Sequence, residues 1–248
     1  MEKADKTRLL YLKDAYIREF EAKIIKIERI EDKFGIVLDQ TAFYPLGGGQ
    51  PSDTGEIFSE TGRAIITFVE KRGEQVFHFA DKIEGKLAEG HTIKGVIDWS
   101  RRYRLMRTHT AAHLLSEAVR RTIGKPLEIV GSAIELEKAR FDFKYEKSIR
   151  ELFPEIEKTA NNVVAEDRPV IIKMMPREEA EKYLAKYNET LKTLPAHVQT
   201  VRIVEIENWH ACACGGTHVR STGEIGGIKL LRRKSKGKGI ERIEFTVV

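Results

Sequence analysis

Two short segments hold the side chains best able to ligate a transition metal. His109-Thr110-Ala111-Ala112-His113 carries two imidazoles four residues apart, and on a helix that spacing turns both to one side at chelating distance. Cys212-Ala213-Cys214-Gly215-Gly216-Thr217-His218 adds two thiols and a third imidazole. A lone His-x3-His pair recurs by chance. The two segments together hold both cysteines of the chain and three of its seven histidines, and three imidazoles with one thiolate make a tetrahedral zinc set. His109, His113, Cys214 and His218 are the expected ligands, with one Zn2+ per chain. Cys214 is preferred because Cys214 to His218 repeats the four-residue step, with two glycines to let the backbone fold round the ion. Cys212 remains the alternative, and a disulfide between the two is too short-spanned to form without strain. Four protein ligands normally mark a closed, structural zinc, whereas a catalytic zinc keeps a position open. Spacing therefore leaves two roles: activating water and polarising a carbonyl, or tying helix to turn.

A second cluster runs from Leu38 to Gly55 as LDQTAFYPLGGGQPSDTG. Its Gly47, Gly48 and Gly49 let main-chain amides approach a ligand, and Gln50 and Asp53 flank them. The run lacks the Lys-Ser/Thr ending of a phosphate loop and the spacing of a dinucleotide fingerprint. Basic residues group at Arg101, Arg102, Arg104 and Arg107, and again at Arg232, Arg233, Lys234, Lys236 and Lys238, where no acid intervenes. Such groups hold a nucleic-acid backbone without reading its sequence. The net charge of +5 favours a polyanionic partner modestly.

Positioning these residues requires two kinds of scaffold. From about Ala15 to Asp98, short apolar runs are broken by turn residues, at Phe20–Ile30, Phe34–Leu38, Ala64–Val69, Val76–Phe79 and Thr92–Ile97. Strands at this spacing predict a small β-barrel. The texture changes at Trp99-Ser100, and Arg101 to Ile123 reads as a helix ended by Gly124 and Pro126. Strands are expected at Ser132–Leu136, Arg140–Phe143, Val170–Met175, Thr200–Ile206, Ile228–Arg232 and Ile240–Val247, with a helix opened by Ser148 and another over Arg177–Tyr187. Arg232 to Gly239 reads as a basic loop. The fold class is α+β: a barrel domain over residues 1–98 packed on a zinc-binding α+β domain over 99–248. No apolar run approaches the roughly 18 residues of a spanning helix, and the start MEKADKTRLL lacks the order of a signal peptide, so a cytoplasmic location without membrane attachment is expected.

In order and across nearly the whole chain, LDQTAFYPLGGGQPSDTG, the His109/His113 pair, GSAIEL, ARFDF, CGGTH at Cys214 to His218, Thr222 to Gly226 and GIERIEF resemble the editing half of alanyl-tRNA synthetase. The chain is similar in particular to the stand-alone alanyl-tRNA editing proteins of medium length. The resemblance implies zinc at His109, His113, Cys214 and His218 and hydrolysis in trans of the ester on alanine tRNA mischarged with serine or glycine, with no obligate protein partner. An alanine pocket cannot strongly reject an added hydroxyl or exclude glycine sterically, so a second, hydrolytic sieve is needed. Many relatives place Thr just before the second histidine and Gln two residues before the Gly-Ser pair, where this chain has Ala112 and Ile129. Recognition of the serine hydroxyl then falls to Gly47, Gly48, Gly49 and Gln50, with Thr110 a weaker candidate. No water-activating group stands out. A zinc-stabilised RNA-binding module and a metallohydrolase of small esters or amides are the alternatives.

Overall fold

A computed structural model describes residues 6–248 apart from 193 and 238, so Lys238 of the basic group lies outside the described residues. In chain order the strands are β1 (Arg8–Leu9), β2 (Glu19–Ile30), β3 (Lys33–Leu38), β4 (Gln40–Thr41), β5 (Gly55–Phe58), β6 (Gly62–Ile66), β7 (Phe68–Arg72), β8 (Gln75–Ala80), β9 (Ile83–Gly85) and β10 (Thr92–Ile97). Helix α1 (Trp99–Ile123) follows, then β11 (Ile129–Ile134), β12 (Ala139–Lys144), α2 (Phe153–Ala165), β13 (Val170–Pro176), α3 (Arg177–Ala185), β14 (Thr200–Ile206), β15 (His210–Ala213), β16 (Ile228–Ser235) and β17 (Ile240–Val247). The protein is thus mixed α and β, and mostly sheet. Two compact units divide it at Met1–Leu105 and Met106–Val248. The division falls inside α1, after its first turns, where the sequence suggested a boundary at 98/99.

In the first unit β2 alternates exposed and buried residues from Glu19 to Ile24, the period of a strand with one wet face. A register shift between Ile24 and Lys26 bends the strand, so its first half pairs with β10 and its second half with β3. Phe20, Ile24, Ile36, Leu38, Phe43, Ile57, Ile66 and Ile93 form the core beneath. The strand order is β7-β8-β3-β2-β10-β5-β6-β9. The expected closed barrel is corrected by this order, since no pairing joins β7 to β9 among the described residues. The reason is local. Thr67 alone separates β6 from β7 and donates its N–H to Phe79 O at 2.9 Å, so this one stretch gives its first half to β5 and β9 and its second half to β8, and no ladder links β7 to β9.

The second unit holds two antiparallel sheets, β11-β12-β17-β16 and β13-β14-β15. Helix α3 buries Ala180 and Leu184 against Val201 and Ile203 of β14 and Ala211 of β15. Helix α2 is fastened to β16 by Asn161, which donates to Ile228 O and accepts its N–H at 2.8 and 2.9 Å. The basic segment is also corrected. Beyond a register shift between Leu230 and Arg232, Arg232 to Ser235 continue β16 against β17, because Arg233 donates through Nε and Nη2 to Glu241 at 2.6 Å and Arg232 reaches Glu244. Cross-strand charge pairing extends the ladder where composition alone suggested a loop.

Candidate metal centre

Helix α1 begins where Asp98 accepts the Arg101 N–H at 3.1 Å, an N-cap contact. It ends at Gly124, whose positive φ of 74° and N–H to Arg120 O at 3.0 Å make a left-handed C-cap. Within the second unit, Met106, Ala111, Leu114, Leu115, Ala118 and Val119 of this helix are buried, and His109 and His113 stand one turn apart with ring centroids 4.9 Å from each other.

Facing them is a strand the sequence did not reveal. β15 pairs with β14 through Val204↔Cys212 and Ile206↔His210, and the Cys214 N–H extends the ladder to Arg202 O at 3.1 Å. Strand alternation sets His210, Cys212 and Cys214 on one face. Cys214 Sγ lies 3.6 Å from His109 Nε2 and 3.3 Å from His218 Nε2, and the rings of His109 and His218 lie 4.2 Å apart, those of His113 and His218 4.7 Å. Ligand atoms of His109, His113, Cys214 and His218 all fall within 4.8 Å of one another. A tetrahedral ion with nitrogen at 2.0–2.1 Å and sulfur at 2.3 Å needs a nitrogen–sulfur edge of about 3.5 Å. The two sulfur–nitrogen distances, 3.6 and 3.3 Å, bracket that edge, so this group can hold a metal.

Neighbouring groups prepare the ligands. Thr110 donates its hydroxyl proton to Met106 O at 3.0 Å, so its lone pairs receive His218 Nδ1–H at 3.1 Å and the Val219 N–H at 3.2 Å. That leaves Nε2 of His218 as the atom that could ligate a metal. It also corrects Thr110 as a substrate contact, because the buried hydroxyl has no capacity to spare. Burial pushes His113 down to about 3 and His109 and His218 well below the usual imidazole range, with the Arg202 guanidinium adding to each. Burial pushes the Cys214 thiol up, opposed by the Gly216 N–H and Arg202. Neutral imidazoles keep their lone pairs for a cation, and the thiol needs that cation to ionise. Neither Gly215 nor Gly216 takes a positive φ. A Cβ on Gly215 would meet nothing within 4 Å, so this glycine leaves open space beside Cys214 rather than relieving a strained turn.

Three contacts of this neighbourhood were not read from the sequence. Arg202 donates to Cys214 O at 2.6 Å, Cys212 Sγ sits 3.3 Å from His113 Nδ1, and buried Glu117, one turn beyond His113, pairs with Arg120 and Arg121. A charged residue inside the apolar run Val201 to Ile206 was the available signal for Arg202.

The glycine-rich segment belongs to the first unit. Gly47 and Gln50 exchange both backbone hydrogen bonds, at 3.2 and 2.9 Å, and Gly48 and Gly49 between them have φ of 57° and 80°, the left-handed pair of a type I′ hairpin. Both are exposed, while Gln50 is buried. Asp53 accepts the Tyr44 N–H at 2.6 Å and the Arg102 Nε–H at 2.9 Å. Arg102, expected on phosphate, is wholly buried and also donates to Ala15 O at 2.8 Å and Ala42 O at 2.6 Å. It is corrected to a structural ion pair. Arg107 is likewise turned inward, donating to Ile225 O at 2.6 Å and to Val248 O. Arg101 donates to Ser52 O at 3.0 Å, and Arg104 is half-buried. Lys234 and Lys236 are exposed and carry no ion pair among the described residues. No described helix is long and apolar enough to cross a membrane.

The family model of class II (A) tRNA synthetases matches residues 7–101, and that of the threonyl and alanyl tRNA synthetase second additional domain matches 201–244, which contains Cys214 and His218. The alanyl-tRNA editing protein AlaX-M of Methanosarcina acetivorans is 41% identical over 98% of this chain and 99% of its own length. The chain belongs to the alanyl-tRNA editing protein family. The AlaX-M protein of Methanosarcina barkeri is also 41% identical, over 98% of the chain. The alanine–tRNA ligase of Pyrococcus abyssi is 43% identical over 96% of the chain, which covers 26% of that ligase. The editing family is thus related to one part of the ligase. Against the pattern expected of it, Ala112 stands before His113 and Ile129 is exposed on β11.

Proposed function

We propose that the chain is a trans-editing hydrolase that removes serine, and secondarily glycine, from mischarged alanine tRNA, with one zinc ion held by His109, His113, Cys214 and His218. The observation that carries the reading is the convergence of these four ligand atoms within 4.8 Å of one another in a chain that matches an alanyl-tRNA editing protein end to end. When bound, the ion would supply Lewis-acid polarisation of the ester carbonyl or hold the residues round it in place. Thr110 holds the His218 ring, Arg202 sets a positive charge beside the Cys214 thiolate, and the gap at Gly215 admits an acyl group. Recognition by the exposed peptide groups of Gly48 and Gly49, with Gly47 and Gln50 closing the turn, is the second part of the proposal. The tRNA backbone is assigned to Arg232, Lys234 and Lys236, and a cytoplasmic place follows from that substrate.

Release of serine from seryl-tRNA of the alanine type, followed with and without a chelator, tests this reading. Hydrolysis that stops on chelation and returns with zinc, while the fold persists by circular dichroism, supports it. Four protein ligands also favour a zinc-stabilised RNA-binding module, which would bind the tRNA and release nothing. Equal seryl to glycyl rate ratios in the parent, Gly48→Ala and Gln50→Ala would remove the glycine-rich turn from substrate recognition.

A further inference from the structure

We infer that a basic pocket at the C-terminal end of α1 holds phosphates of the single-stranded 3′ end of tRNA, with Arg120, Arg121 and Lys186 as their partners. The inference rests on the editing reading above and gives the same substrate a second subsite. A cavity of about 490 Å³ lies wholly within the second unit, lined by Glu117, Arg120 and Arg121 of α1, by Tyr183, Lys186 and Tyr187 at the end of α3 and just beyond it, and by the turn between β14 and β15. Glu117 accepts Nε–H and Nη2–H of Arg120 and Nε–H of Arg121, all at 2.6 Å, and Arg121 Nη2 donates to Trp209 O at 3.2 Å. Nη1 of each arginine therefore keeps its protons, with no partner among the described residues. Lys186 is exposed, its Nζ 5.5 Å from the centroid of the Tyr183 ring, and makes no ion pair among the described residues. The other acid of the lining, Glu205, is matched by Lys173 at 2.5 Å and by the hydroxyls of Tyr183 and Tyr187 at 2.5 and 2.7 Å. Cations thus outnumber the acid left to oppose them, and their spare donors suit phosphate oxygens. The bonds to Glu205 also fix two tyrosine rings at the pocket, where a base can stack.

Its position ties this pocket to the metal group. His109, His113, Glu117 and then Arg120 and Arg121 recur at steps of three or four along α1, so they share one face of the helix. At 1.5 Å of rise per residue the two arginines lie about 10 Å beyond His113 along the axis. With the ester of the terminal nucleotide at the metal group, a single strand covers that span in about three nucleotides, within the unpaired 3′ end of a tRNA.

Filter binding of the full chain to two transcripts of alanine tRNA, one intact and one lacking its last three nucleotides, tests the assignment alongside serine release from the charged, intact tRNA. Lys186→Gln and Arg121→Gln should each reduce the slope of log affinity against log salt by about 0.7 on the intact RNA, the share of one single-strand phosphate, and leave binding of the shortened RNA as it is in the parent. In serine release both should raise KM and leave kcat unchanged, the mark of binding lost equally from ground and transition state. Melting curves establish that the variants are folded. Lys186→Gln alters an exposed side chain and carries the test alone if Arg121→Gln, which also loosens buried Glu117, does not fold. A parent that releases serine while the variants keep its affinity and slope, or lose as much on the shortened RNA as on the intact one, overturns the pocket assignment and leaves the editing reading standing. A parent that binds the charged tRNA and releases no serine overturns the editing reading itself.

Discussion

Buried polar residues of this chain divide into those that serve the metal group and those that hold the fold, and their partners tell them apart. Arg102 and Asp53 are both wholly buried and paired. Removing one partner strands the other charge, so Arg102→Met should cost about 3–5 kcal/mol of stability, measured by urea denaturation. His78 is buried with Nδ1 on Ile36 O at 2.9 Å and Nε2 on the Thr41 hydroxyl at 2.8 Å, and burial, opposed by the Ile36 carbonyl, pushes it down to about 4. In the unfolded chain the imidazole takes its proton near 6.5. The unfolded state therefore binds more protons between those values, and unfolding free energy should fall as pH drops through that window, by of order 3 kcal/mol in all. A His78→Gln variant should show a flatter profile over the same range. Of the buried polar residues only the candidate ligands His109 and His113 were legible beforehand, since spacing marks a pair able to chelate, whereas Arg102 and His78 owe their character to strands far away in sequence.

Among the elements, helix α1, read as Arg101 to Ile123 and observed as Trp99–Ile123, was readable to within two residues, because its apolar period and its Gly124 stop are local signals. β15 was not. Its residues His210 to Ala213 carry little strand propensity, and the segment is extended because β14 supplies a partner in register. The glycine-rich turn was readable as a turn but not as a type. Gly48 needs positive φ, and a Cβ there would meet only the Tyr44 hydroxyl, at 4.0 Å. Gly48→Ala should therefore lower stability through backbone strain alone, by about 1 kcal/mol, and Gly48→Asn should lose less, because asparagine tolerates this conformation. Thermal melting of the two variants compares them directly.

For the whole molecule, a net charge of +5 is spread over many paired groups, so total charge overstates what is free to meet RNA. Arg233 is taken by Glu241 and Arg102 by Asp53, whereas Lys234 and Lys236 stand exposed on the β16 side of the four-stranded sheet and just beyond it. Replacing Lys234 and Lys236 by glutamine should weaken tRNA binding at low salt and reduce the slope of log affinity against log salt by about 1 per lost phosphate contact, as filter binding at several salt concentrations would show. Arg233→Gln should change stability more than slope. The sequence by itself determined which side chains can ligate a metal and where α1 runs, because helical spacing and end signals act within a few residues. The tertiary structure alone decided that the first sheet stays open, that Thr110 and Arg102 are committed to internal partners, and which sulfur meets which imidazole nitrogen, because burial and strand register depend on residues brought together from distant parts of the chain.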